Sequence, residues 1–171
     1  MRPHEVAIKY LGQTEKAGNM GFNDGAFEEK MRAVGFQDSH AWCAYFSELV
    51  FKEAIPDNQD LDRLFSASAV QTFENFAKAG YPVSMQPAID TLVVWQSHKE
   101  GLPLRTGHVG VVCSVNEKDI GVFESVEGNT NDKGGREGYI VARRPHRVNP
   151  GVQTGLRILG FITIKSDVPH E

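Results

Sequence analysis

Only two of the 171 residues are cysteine, Cys43 and Cys113. One disulfide is formally possible, but a disulfide framework is excluded. There is no Cys-x-x-Cys pair and no His-Glu-x-x-His run, so nothing supports a zinc site. A basic excess is also missing: 18 Lys and Arg stand against 22 Asp and Glu, and the net charge is −4. That balance speaks against a nucleic-acid partner. No apolar run approaches the ~18 residues of a membrane span. The opening residues, Met1-Arg2-Pro3-His4-Glu5-Val6, lack the apolar centre of a secretory signal. The expectation is a chain made in the cytoplasm without a signal peptide. Internal repeats and low-complexity segments are absent as well.

What is there suits one domain over residues 1–171. The composition, 40% hydrophobic and 23% charged, is that of a globular chain with a core of its own. The first half reads as helices. Residues 4–11 form one, ended by Gly12, and 26–34 another, capped by Asp24 and closed by Gly35. A third runs to Ala54 before Pro56, and Ser68 caps a fourth at 69–79. Between the first two lies a Gly/Asn-rich loop at 12–24, either a binding-site wall or a plain surface loop. After Tyr81-Pro82 the pattern turns to strands, at 91–95, 108–115, 120–127, 139–143 and 156–164. Polar loops are expected at 57–62, 96–107 and 128–138, and a frayed tail from 165. Helices first and strands after is an α+β pattern with a mainly antiparallel sheet.

The third helix begins near Asp38-Ser39-His40-Ala41-Trp42-Cys43, with Asp38 or Ser39 as the cap. A thiol in a first helical turn feels the positive end of the helix dipole, which favours the nucleophilic thiolate. The same Cys43 also fits a small buried residue. Cys113 lies in an apolar run and reads as a core strand residue.

Thiol-based amide hydrolysis needs a thiolate, an imidazole to move the proton, and a polar group to orient the imidazole. His108 opens an apolar strand at a sheet rim, and Gly107 and Gly110 around it leave room for a substrate. The orienting group is Glu127 or Asn129, which share a strand face. Pairing about a turn centred between Glu117 and Lys118 sets His108 opposite Glu127. The basic cluster Arg143-Arg144-Pro145-His146-Arg147 reads as a solvated turn after a strand, or else as a site for an anionic polymer or carboxylate.

Trp42-Cys43-Ala44, Thr91-Leu92-Val93-Val94-Trp95, Gly107-His108-Val109-Gly110-Val111-Val112 and Glu127-Gly128-Asn129 resemble the ordered motifs of the CHAP family. These are cysteine, histidine-dependent amidohydrolases/peptidases, related to NlpC-type cell-wall peptidases. The resemblance runs from about residue 38 to 165. The loop with Gly12-Gln13-Thr14-Glu15 and Gly18-Asn19 is similar to the leader of some bacterial and phage members. The resemblance implies a papain-like α+β fold, with N-terminal helices on an antiparallel sheet of about five or six strands. It implies Cys43 as nucleophile, His108 as general base and acid, and Glu127 or Asn129 as the orienting group. Trp42, Glu15 and Trp95 are the expected substrate-binding residues. The implied substrate is peptidoglycan, cut at the muramoyl–alanine amide or within the stem peptide or cross-bridge. The chain would then act at the bacterial wall after non-classical release or delivery, with an immunity or delivery protein as a further partner. No cofactor is expected. Some members bind calcium through acidic residues before the cysteine; only Asp38 stands there, so no metal is expected. Ile89-Asp90 replaces the family's usual Gly-Asp. Two other readings share the fold: an amidohydrolase for a non-wall protein or small amide, and a non-catalytic binding module.

Overall fold

The computed structural model describes residues 1–131 and 138–166. Five helices precede six strands among them: α1 (Pro3–Lys9), α2 (Gly25–Ala33), α3 (Cys43–Ala54), α4 (Leu61–Leu64), α5 (Ala69–Lys78), β1 (Val83–Ser84), β2 (Leu92–Lys99), β3 (Leu102–Val115), β4 (Val122–Thr130), β5 (Ile140–Arg147) and β6 (Gly155–Ile162). The strands form one sheet in the order β1-β6-β2-β3-β4-β5, with every neighbouring pair antiparallel. This is the expected papain-like α+β arrangement. No helix among the described residues is long and apolar enough to cross a membrane.

The helix boundaries follow local chemistry. Asp24 accepts from the Phe27 N–H and Ser68 from the Gln71 N–H, so both serve as the caps their residue types suggest. The central helix α3 differs. Its N-cap is Trp42, and no side chain caps it. Asp38 instead pairs with Arg32, and Ser39 bonds through its backbone to Asn19. From Cys43 to Phe51 every residue of α3 is buried, so this helix is the middle of the core rather than a surface helix with one apolar face.

Strand alternation splits the sheet into two faces. Leu92, Val94, Val109, Val111, Val126 and Val141 join the core under the helices. Val93, Trp95, Val112, Phe123, Ile158 and Phe161 form a second, smaller core on the other face. Phe161 of β6 meets Phe123 of β4 at 5.1 Å between ring centroids, although β2 and β3 lie between them. Strands spaced by about 4.8 Å would hold those two rings much farther apart if the sheet were flat. The sheet is therefore curled, with this second face inside the curl.

Several expected loops are structured. Residues 96–107 extend β2 and β3 into a ribbon closed at Glu100-Gly101, where both φ are positive (52° and 79°), as a two-residue hairpin turn requires. Residues 57–62 include the start of α4. Arg143–Arg147 lies in β5, not in a turn. Of the loop expected at 128–138, residues 128–130 belong to β4 and 132–137 lie outside the described residues, as does the tail beyond 166. The 12–24 loop is fastened to the sheet edge: the Gly12 N–H donates to the Val141 carbonyl, the Val141 N–H to Gln13 and the Glu15 N–H to Tyr139.

Candidate active site

Three elements converge at one end of the sheet. α3 brings Cys43 as its first residue, β3 brings His108 and β4 brings Glu127. A glycine allows α3 to come this close. A Cβ on Gly128 would stand 2.6 Å from Phe46 Cβ and 2.7 Å from Trp42 Cζ3, so only a bare backbone lets β4 touch the start of α3.

The expected register between His108 and Glu127 is off by two residues. Val111 pairs with Val126 and Val112 with Ser125, which sets Gly110, not His108, beside Glu127. The link between β3 and β4 spans residues 116–121 and is longer than the four-residue turn expected, and a bulge falls between Val112 and Ser114. The carboxylate still reaches the imidazole, because its side chain runs along the sheet over Gly110. A Cβ there would sit 2.7 Å from Glu127 Cγ. Gly110 therefore makes room for Glu127, not for a substrate. Gly107 is likewise filled, since a Cβ there would meet the Trp95 carbonyl oxygen at 2.2 Å.

Glu127 is almost fully buried, and its two oxygens divide three donors. Oε2 lies 2.7 Å from His108 Nε2. Oε1 lies 2.5 Å from His146 Nε2 and accepts from Ser125 Oγ at 2.6 Å. Burial alone would push the Glu127 carboxyl up. The His108 charge and the bonds from both imidazoles outweigh it and hold the carboxyl well below its usual range. An ionised carboxylate only accepts, so each Nε2 carries its hydrogen. That leaves Nδ1 of His108 for a partner on its other side. Cys43 is near enough to favour the charged form of His108, as Glu127 does. Burial alone would lower the His108 pKa; Glu127 and Cys43 together raise it to about 10.

The start of α3 supplies donors. The first intrahelical bond runs from the Phe46 N–H to the Trp42 carbonyl. The N–H groups of Cys43, Ala44 and Tyr45 precede it and have no partner within the helix. With no side-chain cap, they stand beside the thiol as the donors an oxyanion needs.

The other expected site residues separate. Asn129 stands at the rim of the cleft with φ of 52°, and the bond to His108 comes from Glu127. Trp95 lines the same cleft, its ring 5.7 Å from His108 and 4.8 Å from His146. Trp42 cannot line a groove: it is 0% exposed and packs edge-on against Phe22. Its indole Nε1 donates to Glu15 Oε2 at 2.7 Å, so Glu15 ties the 12–24 loop to the start of α3. Cys113 is buried in β3 with its thiol pushed up by burial, and its Sγ bonds to the Glu124 carbonyl.

His146 escaped sequence reasoning because it sits in a basic run. Alternation along β5 was the available signal: it puts Arg144 and His146 on one face and Arg143 and Arg147 on the other. The cleft beside His108 and Glu127 has a volume of about 410 Å³ and is lined by Trp95, His108, Glu127, Asn129, Arg144 and His146, among others. No group of three or more His, Cys, Asp or Glu among the described residues has the arrangement of a metal site.

No curated protein matches the chain. A family model, that of the CHAP domain, matches residues 35–129, which is more than half of the chain and includes Cys43, His108, Glu127 and Asn129. That family is one of peptidoglycan-related amidases and peptidases, and the chain belongs to it: this is a CHAP domain protein.

Proposed function

We propose that the protein is a cysteine amidase or endopeptidase that cleaves an amide bond of bacterial peptidoglycan, with Cys43 as nucleophile, His108 as base and acid, and Glu127 as the orienting group. The observation that carries this reading is the bond of the Glu127 carboxylate to His108 Nε2, which turns Nδ1 away from Glu127, together with the part Cys43 has in raising the His108 pKa.

The chemistry follows from the geometry. His108 takes the Cys43 proton, and the thiolate attacks the carbonyl carbon. The oxyanion that forms is stabilised by the N–H groups at the start of α3 that have no partner within the helix. The C–N bond breaks as His108 returns its proton to the leaving amine, which leaves a thioester on Cys43. Water then attacks the thioester, giving its proton to His108, and the acid departs as the thiol re-forms. Glu127 fixes the ring and stabilises its charged form throughout, which fits the raised pKa of His108.

The test is digestion of purified sacculi, with mass spectrometry of the released fragments. Muropeptides with a new amine and a new carboxyl end are expected from the intact protein and none from Cys43→Ala. His108→Ala should cost ~10²–10⁴-fold in rate. Full activity in Cys43→Ala would overturn the reading. A fast-alkylating Cys43 with no muropeptide released would assign the same chemistry to a different amide.

A further inference from the structure

The cleft beside His108 and Glu127 holds a positive charge with no counter-ion among the described residues. Arg144 points from β5 to the face that carries Glu127 and Ser125; its residue pairs with Ser125 in the sheet. Its neighbours on the strand are neutralised: Arg143 pairs with Glu124 and Arg147 with Asp119. Arg144 has no carboxylate partner among the described residues. Its one bond runs from Nη1 to the Asn131 backbone oxygen at 2.7 Å, which fixes the guanidinium while leaving most of its N–H groups unspent. Among the described residues lining the cleft, Glu127 is the one acid, and both of its oxygens are taken by His108, His146 and Ser125. Every other polar side chain among those described lining residues is neutral or basic.

We infer that Arg144 is the anchor of a carboxylate subsite: it binds a carboxylate on the same molecule whose amide bond meets Cys43. This rests on the reading of the site as an amide hydrolase, and it names the feature of the substrate that the cleft selects. A half-buried guanidinium facing an open cleft has N–H groups that a charged acceptor satisfies better than water does. One edge is held by Asn131, and the remaining edge presents the planar fork that matches a carboxylate. Asn129, at the rim, adds an amide to the same wall. The distinction drawn is between a free carboxylate and its amide, which have the same shape and differ in charge.

The experiment uses the full chain as Cys43→Ala, which binds without cutting. It is titrated calorimetrically with a disaccharide peptide bearing free carboxylates and with the same peptide amidated at those groups. The acid should bind more tightly than the amide. Adding Arg144→Gln should weaken the acid about ten- to hundredfold, the range for a hydrogen bond to a charged group, and leave the amide unchanged. Arg144→Lys keeps the charge but not the fork and should fall between. Equal loss on both ligands would overturn the inference, because it would mean that Arg144 only supports the Asn131 backbone. So would no loss on either, or no binding of the acid at all. The two readings fail separately. If the intact protein leaves sacculi uncut while the acid is still preferred through Arg144, the hydrolase reading falls and the subsite stands. If sacculi are cut and Arg144→Gln makes no difference between acid and amide, the reverse holds.

Discussion

The His146 imidazole lies 2.5 Å from the Glu127 carboxylate, on the oxygen that His108 does not use. Each ring thus has its own oxygen, and Ser125 shares the one with His146. His146 works through Glu127 and has no contact with the thiol in this arrangement. His146→Ala removes a hydrogen bond to a buried charge, a loss of about 1.5–3 kcal/mol. The expected outcome is a lower melting temperature, slower alkylation of Cys43 and a reduced kcat with KM little changed. His146→Gln, which retains an N–H at similar reach, should recover part of each. Unchanged thiol reactivity in His146→Ala would make the second imidazole a bystander.

Glu127 and Asn129 should behave differently. In Glu127→Gln the shape stays and the charge goes. Burial then acts on His108 unopposed by that carboxylate, and its pKa should fall well below the value of about 10 it has in the intact chain. Asn129→Ala should leave that pKa in place. Following the imidazole C–H resonances of each variant by NMR against pH measures this directly. Equal shifts in both variants would remove the distinction.

The ion pair also sets a pH window for stability. His108 binds its proton more tightly folded than unfolded, its pKa rising from 6.5 to about 10. Its contribution is therefore complete below about pH 6.5 and is lost as pH rises through about 10. Glu127 has the opposite sign: its carboxyl is held below the ordinary 4.5, so its contribution is present above that pH and lost on acidification. These are two sides of one interaction and are not summed. Thermal unfolding scanned from pH 3 to 10, values on the order of the window itself, should give a plateau with a fall on both sides. Glu127→Gln should flatten both limbs.

The helices α2, α3 and α5 were legible because caps and apolar spacing act within a few residues: Asp24, Ser68 and the buried run from Cys43 do what their types suggest. The family motifs likewise point to Cys43, to His108 and to Glu127 or Asn129 as one set. What failed depended on neighbours distant in sequence. The 96–107 ribbon is mostly polar and projects past the core, with Leu102 and Leu104 exposed, so little apolar alternation marks it. The register of β3 on β4 was off because the link is longer than the turn residues suggested and a bulge lies near Cys113. Trp42 is expected among the substrate-binding residues and is buried instead, since exposure of an aromatic next to a nucleophile depends on how α2 and the 12–24 loop pack over it. Alternation along β5 marks the face that His146 shares with Arg144, but its bond to Glu127 depends on tertiary packing, which no local pattern records.

Two glycines should separate positioning from docking. At Gly110 a methyl would stand 2.7 Å from Glu127 Cγ, and at Gly128 it would stand 2.6 Å from Phe46 Cβ. Both contacts are closer than packed carbons tolerate, and overpacking costs about 1–3 kcal/mol. The consequences differ because the obstructed groups differ. Gly110→Ala pushes on a side chain, so Glu127 swings away from His108 while α3 stays seated. Gly128→Ala pushes on α3 itself and carries Cys43 away from an intact His108–Glu127 pair. In Gly110→Ala the raised pKa of His108 should therefore fall, much as in Glu127→Gln. In Gly128→Ala the pull of Glu127 on that pKa should persist while alkylation of Cys43 loses its dependence on His108. Measuring both quantities in both variants decides it: a common loss of the His108 pKa shift would mean that the helix and the carboxylate are not independently held.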